Sequence, residues 1–250
     1  PYANAITDVV RTVTAPGVVS DEHPLTTPRE NVASAALLLI TSDRGLAGGY
    51  SANVLRAGEQ TTAKLREQGV QTTMPFLVGR KAVAYYRFRG RDVSHSWSGF
   101  SEQPSYEDAK AVADDLLEQF VKGSADGGVD EIHLVFTRFE SMATQKVAVS
   151  RLLPLDQEEV PASNEGEATS TALMEFEPEG AGVLDALLPR YLTARVYAAM
   201  LDAAASEQVA RRRAMKSATD NADELIKKLT RDANSARQAE ITQEIMEIVG

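Results

Sequence analysis

Between Thr41 and Val54 the chain reads TSDRGLAGGYSANV, with a mostly apolar run, Val32–Ile40, leading in and a helix-like segment following. Strand, glycine-rich turn and helix is a layout that cradles phosphate, because the free N–H groups at a helix start attract anions. It is also close to the layout that lifts a nucleophilic serine onto a sharp elbow. Neither chemistry has its full set of residues. A G-x-x-x-x-G-K-S/T phosphate loop needs a lysine to reach the phosphates, and Gly48–Gly49 is followed by Tyr50 and Ser51. The dinucleotide fingerprint G-x-G-x-x-G fails because Gly45, Gly48 and Gly49 stand at the wrong intervals. Gly49-Tyr50-Ser51-Ala52-Asn53 nearly matches the G-x-S-x-G elbow, but Asn53 replaces the last glycine and a base would have to be His95 or His133. The simpler reading is structural. Gly45, Gly48 and Gly49 let the chain turn tightly, and Ser51 caps the helix that follows.

The remaining chemistry-bearing residues are sparse. His23, His95 and His133 show no ligand spacing, there is no cysteine, and no catalytic, cofactor or metal site is expected. Pro154–Gly180 carries eight acidic residues and no lysine or arginine. It lacks the spacing of a calcium loop and reads as solvated. Arg211, Arg212 and Arg213 form a basic cluster within Glu207–Arg237, where eight basic and five acidic residues leave a net +3 in a chain whose total is −10. The cluster is either a solvated helix face or a contact for an acidic protein partner. The net charge argues against general nucleic-acid binding, which needs a basic face.

The elements that must position these residues are legible from periodicity. The 250 residues are 43% hydrophobic, enough to build a core. Ile6, Val9, Val10 and Val13 have helical spacing, and Ala15–Asn31, rich in proline and polar residues, reads as a linker. Ala33–Thr41 reads as a buried strand, Val54–Gln68 as a helix, TTMPFLVG as a second strand and RKAVAYYRF as a short helix. Ser105 with Asp108 is a capping box for a helix burying Ala109, Val112, Ala113, Leu116, Leu117 and Phe120. GSADGG reads as a flexible loop, and DEIHLVFTRFE with TQKVAVSRLLPL as a hairpin turned near Met142–Ala143. This alternation predicts an α/β layered domain with a largely parallel sheet. The strand-like stretch Val32–Ile40, nine residues with Ser34 its one polar member, is far short of the ~20 of a membrane-spanning helix.

The C-terminal part is different in kind. After Pro189 there is no proline, and Met215, Ala218, Ala222, Leu225, Leu229, Ala233 and Ala236 step by three or four, as a coiled-coil seam does. The seam shifts before Ile241, Ile245 and Ile248 resume it. About sixty residues of helix measure on the order of 90 Å. Such a helix must project from the α/β domain and bury its seam against a partner, for which the N-terminal helical segment is available. The domain boundaries expected are 1–16 for the end of an N-terminal coiled-coil helix, 17–32 for a linker, 33–180 for the α/β domain and 181–250 for the long helix.

TSDRGLAGGYSANV resembles the S-D-R-G-L-x-G-G segment of the gamma subunit of F-type ATP synthases. SEQVARRRAMKSATDNADELIKKL and RQAEITQEIMEIVG are similar to that family's C-terminal helix, and PYANAI, LVGRKA, VSRLLPL and EPEGAGVLDALLPRY match in order. The resemblance covers essentially the whole chain. It implies a Rossmann-like α/β foot and an antiparallel coiled coil of the N- and C-terminal helices, and that most of the N-terminal helix lies upstream of PYA. It implies a non-catalytic rotor that stands inside a ring of alpha and beta subunits and rests with epsilon on the membrane-embedded c-ring, at the cytoplasmic face of a bacterial plasma membrane. Arg237, Gln238 and Thr242 would then contact beta, and Phe176, Glu177 and Pro178 the c-ring. Two features depart from the family pattern: Phe176 stands where Tyr-Glu-Pro is usual, and Lys122–Val129 is long and glycine-rich, either a passive loop or an insertion with a regulatory or ring-contacting role. From the residues alone, an α/β enzyme acting on nucleotides or esters with a coiled-coil tail, and a coiled-coil adaptor without rotation, remain as alternatives.

Overall fold

Every residue from Ser34 to Ile40 is buried. A strand covered on both faces needs apolar residues on both, so this run shows no alternation. In the computed structural model, which describes residues 6, 29, 31–155 and 180–250, with side chains from 186 onward in the last stretch, it is the central strand β1. Most of the expected N-terminal helix and linker lie outside the described residues, as do 156–179 of the acidic segment with Phe176, Glu177 and Pro178.

β1 pairs in parallel with β2 (Thr72–Val78) on one side and β4 (Glu131–Phe139) on the other. β3 (His95–Trp97) runs parallel to β2, and β5 (Gln145–Leu153) antiparallel to β4, giving the order β3-β2-β1-β4-β5. Pro75 is tolerated within β2 because β3 pairs only with Phe76–Val78, which leaves the proline at an open edge. One sheet face is covered by α1 (Tyr50–Glu67) and α2 (Arg80–Phe88), through Val54, Ala82 and Tyr86 against Leu37, Leu39, Leu77 and Val135. The other face packs Leu38, Phe76, Ile132 and Leu134 against α3 (Tyr106–Lys122) and the base of α4 (Gly180–Val249), through Leu116, Val196 and Met200. The expected layered α/β foot with a long C-terminal helix is the observed architecture.

Three local expectations are corrected. α1 begins at Tyr50 rather than Val54: the Tyr50 N–H already donates to Ala47 O, and the Asn53 N–H to Gly49 O. β3 was not anticipated, because three residues carry no readable alternation. GSADGG is an ordered turn. It contains a 3-10 segment, Ser124–Asp126, whose Ser124 N–H donates to the buried Asp130 carboxylate at 3.1 Å. The capping box at Ser105 and Asp108 forms as expected, and Leu117 is half-buried beside the fully buried Leu116.

Candidate functional site

The turn after β1 is held by its polar residues as much as by its glycines. Thr41 Oγ1 donates to Val78 O at 2.9 Å and accepts from the Ala82 N–H at 3.1 Å, fixing the exits of β1 and β2 to each other. Asp43 accepts from the backbone N–H groups of Arg80 at 3.1 Å, Gly99 at 2.7 Å and Ser101 at 3.0 Å. One carboxylate thus gathers the segments after β1, β2 and β3. Of the three glycines expected to shape the turn, only Gly48 has a left-handed backbone, at φ 56°, while Leu46 adopts φ 61° and stands exposed. A non-glycine residue in that region carries local strain of order 1 kcal/mol or more. A Cβ at Gly48 would stand 3.9 Å from Ala214 Cβ, so the turn lies directly against α4.

Ser51 is not a cap. Gly49 holds the N-cap position without a side-chain bond, and the Ser51 hydroxyl hydrogen-bonds to Ser42 Oγ at 2.7 Å. The two histidines that an elbow would need are engaged elsewhere: His95 Nδ1 with Asp115 and His133 Nε2 with Glu131, each at 2.8 Å. Nothing in this geometry activates Ser51.

The same turn faces the base of the long helix, where several polar ties join foot and shaft. The buried Tyr50 hydroxyl donates to Ala203 O at 3.1 Å, and the Ser206 hydroxyl to Thr137 O at 3.2 Å. Arg211 pairs with Glu207 at 2.6 Å and with Glu102 at 3.0 Å. Arg213 donates to the carbonyls of Met142 and Ala143 at 2.6 and 2.7 Å. Arg212 is exposed and makes no ion pair among the described residues. The expected basic cluster is therefore divided, with two guanidinium groups turned to the foot and one to solvent. Burial pushes the Glu207 carboxyl above the usual carboxylate range even with Arg211 beside it. Burial, reinforced by Glu207, likewise raises the Tyr50 phenol.

Beyond Ala214 every described residue of α4 is exposed. Met215, Leu225, Leu229, Ile241, Ile245 and Ile248 are all among the exposed large hydrophobics, Ile248 reaching 84%. An apolar seam of that length is covered in a working protein. Arg237, Gln238 and Thr242 are exposed on the same stretch, with the Thr242 hydroxyl donating to Gln238 O at 2.7 Å. Among the described residues no helix is long and apolar enough to cross a membrane.

The family model described as ATP synthase matches residues 1–250. The ATP synthase gamma chain of Kineococcus radiotolerans is 58% identical over 251 residues, covering 100% of this chain and 82% of its own length. That of Acidothermus cellulolyticus is 58% identical over 250 residues with the same coverage. The chain belongs to the ATP synthase gamma chain family. Among solved structures, a chain of the Euglena gracilis mitochondrial ATP synthase (OSCP/F1/c-ring) superposes with a TM-score of 0.62 at 19% identity, over 100% of this chain and 88% of its own. The central stalk and c-ring structure of the Tetrahymena thermophila mitochondrial enzyme gives 0.56 at 20% identity, covering 87% of this chain and 94% of that one. At that identity the likeness concerns the fold, and it reproduces the layered foot with its long helix.

Asp43, Tyr50 and Glu102 are the residues of this junction that sequence reading missed. Asp43 lies inside the quoted turn, but its donors stand far along the chain. Only the sheet order brings them together.

Proposed function

We propose that this chain is the central-stalk rotor subunit of a proton-translocating F-type ATP synthase, without a catalytic site of its own. It transmits torque between the c-ring and the ring of alpha and beta subunits, which couples proton flow to ATP synthesis. The observation that carries this reading is the long helix, packed on the foot up to Ala214 and then exposed with its apolar seam to Val249. A helix anchored at one end and uncovered at the other suits a shaft inserted into a larger body. Ile6, helical and buried against Tyr191 and Ala194, supports the N-terminal segment as the neighbour of the shaft base.

In this reading the foot rests with epsilon on the c-ring at the cytoplasmic face of a bacterial plasma membrane, and Phe176, Glu177 and Pro178 contact the ring. Arg212 is the member of the basic cluster free to meet an acidic partner, and Arg237, Gln238 and Thr242 meet beta. Gly45, Gly48 and Gly49 serve the turn alone. The deciding experiment is reconstitution of the full-length subunit with alpha and beta, with a bead attached to the foot. ATP-driven rotation of the bead is expected. A complex that hydrolyses ATP while the bead stays still sinks the rotor reading. Activity of the isolated chain on nucleotides or esters would restore the enzyme reading.

A further inference from the structure

A helix that carries torque must be held in angular register where it leaves the foot. The apolar packing at its base resists displacement, but dispersion contacts are non-directional and tolerate a small rotation. Hydrogen bonds are directional, and a close ion pair weakens as its charges are drawn apart, so polar ties resist rotation more than apolar packing does. The last polar contacts of α4 with the foot are those of Arg211 and Arg213, immediately before the helix becomes free. Two positions along an α-helix are separated by about 200° around its axis. The two guanidinium groups therefore leave opposite sides of the shaft.

What they hold also lies on opposite flanks. Glu102 follows β3, at one edge of the sheet, and is braced in turn by Arg44 of the glycine turn at 3.4 Å. Met142 and Ala143 form the turn between β4 and β5, at the other edge. Arg213 grips backbone carbonyls there, so its hold does not depend on flexible side chains. Twisting the helix in one sense draws Arg211 away from Glu102, and twisting it in the other draws Arg213 away from the hairpin.

We propose that Arg211 and Arg213 form a two-sided torsional brace that sets the angular register of the shaft on the foot. They are positioning residues and touch no nucleotide. This rests on the rotor reading, and the test separates the two. The full-length subunit is assembled with alpha and beta, a bead is fixed to the foot, and its angular fluctuations are recorded while the complex is stalled between ATP turnovers. The wild-type complex must first rotate under ATP; if it does not, the rotor reading falls and the brace with it. In a rotating complex, Arg211→Gln is expected to broaden the angular distribution on one side and Arg213→Gln on the other, and the double variant to broaden both, at least doubling the variance. Arg213→Lys, which still donates to a carbonyl, restores most of the stiffness. A purely stabilising role would lower the melting temperature and leave the stalled distribution unchanged and symmetric. Unchanged variance in both single variants, assembled and turning, overturns the proposal. So does broadening that is the same on both sides in each.

Discussion

Asp43 and Ser101 hold each other by reciprocal hydrogen bonds: the Asp43 N–H donates to Ser101 Oγ at 2.9 Å, and the Ser101 N–H donates to Asp43 Oδ2 at 3.0 Å. The pair closes the gap between the turn after β1 and the segment after β3, across the whole width of β2. Glu102, which pairs with Arg211 of the shaft, directly follows Ser101 in this closure.

Asp43→Ala removes the acceptor of three backbone N–H groups, those of Arg80, Gly99 and Ser101. Bonds to a charged acceptor contribute about 1.5–3 kcal/mol each, but exposed donors recover water. A loss of about 3 kcal/mol is expected, and with it a melting temperature lower by roughly 6–12 °C. Calorimetry of the purified subunit measures it. A shift under about 2 °C would mean that the staple is incidental.

Asp130 anchors the start of β1. It accepts from Ala33 N–H at 2.9 Å, Ser34 N–H at 3.2 Å and Ser124 N–H at 3.1 Å, and pairs with Arg29. Burial alone would raise its pKa, but the bonds from Ser124, Ala33 and Ser34 outweigh burial and bring it down to about 2. A carboxyl depressed on folding stabilises the protein above its ordinary pKa of about 3.9, and that stabilisation is lost as pH falls toward about 2. Asp130→Asn should cost about 2–4 kcal/mol at neutral pH and flatten the acid limb of the stability curve. Urea melts between pH 2 and 7 decide it; an unchanged acid limb in the variant would show that Asp130 is not the group responsible.

Glu207 has the opposite sign. Burial raises its carboxyl pKa, so the folded protein holds that proton more tightly than the unfolded chain does. Its contribution is complete below the ordinary value of about 4.3 and is lost as pH rises through the raised one. Glu207→Gln keeps an oxygen to accept from Arg211 and has no charge to bury. Relative to wild type, the variant should therefore gain stability as pH rises from about 4 toward neutrality. Paired melts at the two ends of that range test it, and a relative loss for the variant on going up in pH would refute the assignment.

Much of the fold is legible because its signals are local. Ala35–Ile40 is apolar without interruption since both sheet faces are covered there, and Ser105–Asp108 forms its box within one helical turn. The seam from Met215 onward keeps its helical step because one continuous helix presents it to a single covering partner. The junction is less legible because its contacts are remote. Arg211 and Arg213 read as one cluster of charge, yet their partners are Glu102 and the turn at Met142–Ala143. GSADGG reads as flexible until Asp130 is placed beneath it. β3 is set by its pairing to Phe76–Val78, and no pattern in three residues announces that.

Arg237 and Gln238 stand exposed on the free part of the shaft, next to the seam shift between Ala236 and Ile241. Arginine presents up to five donors in a rigid fork suited to a carboxylate. Glutamine beside it can both donate and accept. The Gln238 side chain is exposed and makes no hydrogen bond among the described residues, which leaves its amide for a partner. If the pair grips one beta subunit at a time, each substitution removes charge-assisted bonds of roughly 1.5–3 kcal/mol in a single rotary position. The loss then alters the depth of one dwell and leaves overall assembly alone. Arg237→Ala with Gln238→Ala, in a full-length subunit assembled with alpha and beta, is expected to elute as an intact complex on gel filtration. It should turn over ATP several-fold more slowly and lengthen one dwell in single-molecule rotation. Turnover and dwell times equal to wild type would show that these residues are merely solvated, and loss of assembly would show that they hold the ring together throughout the cycle.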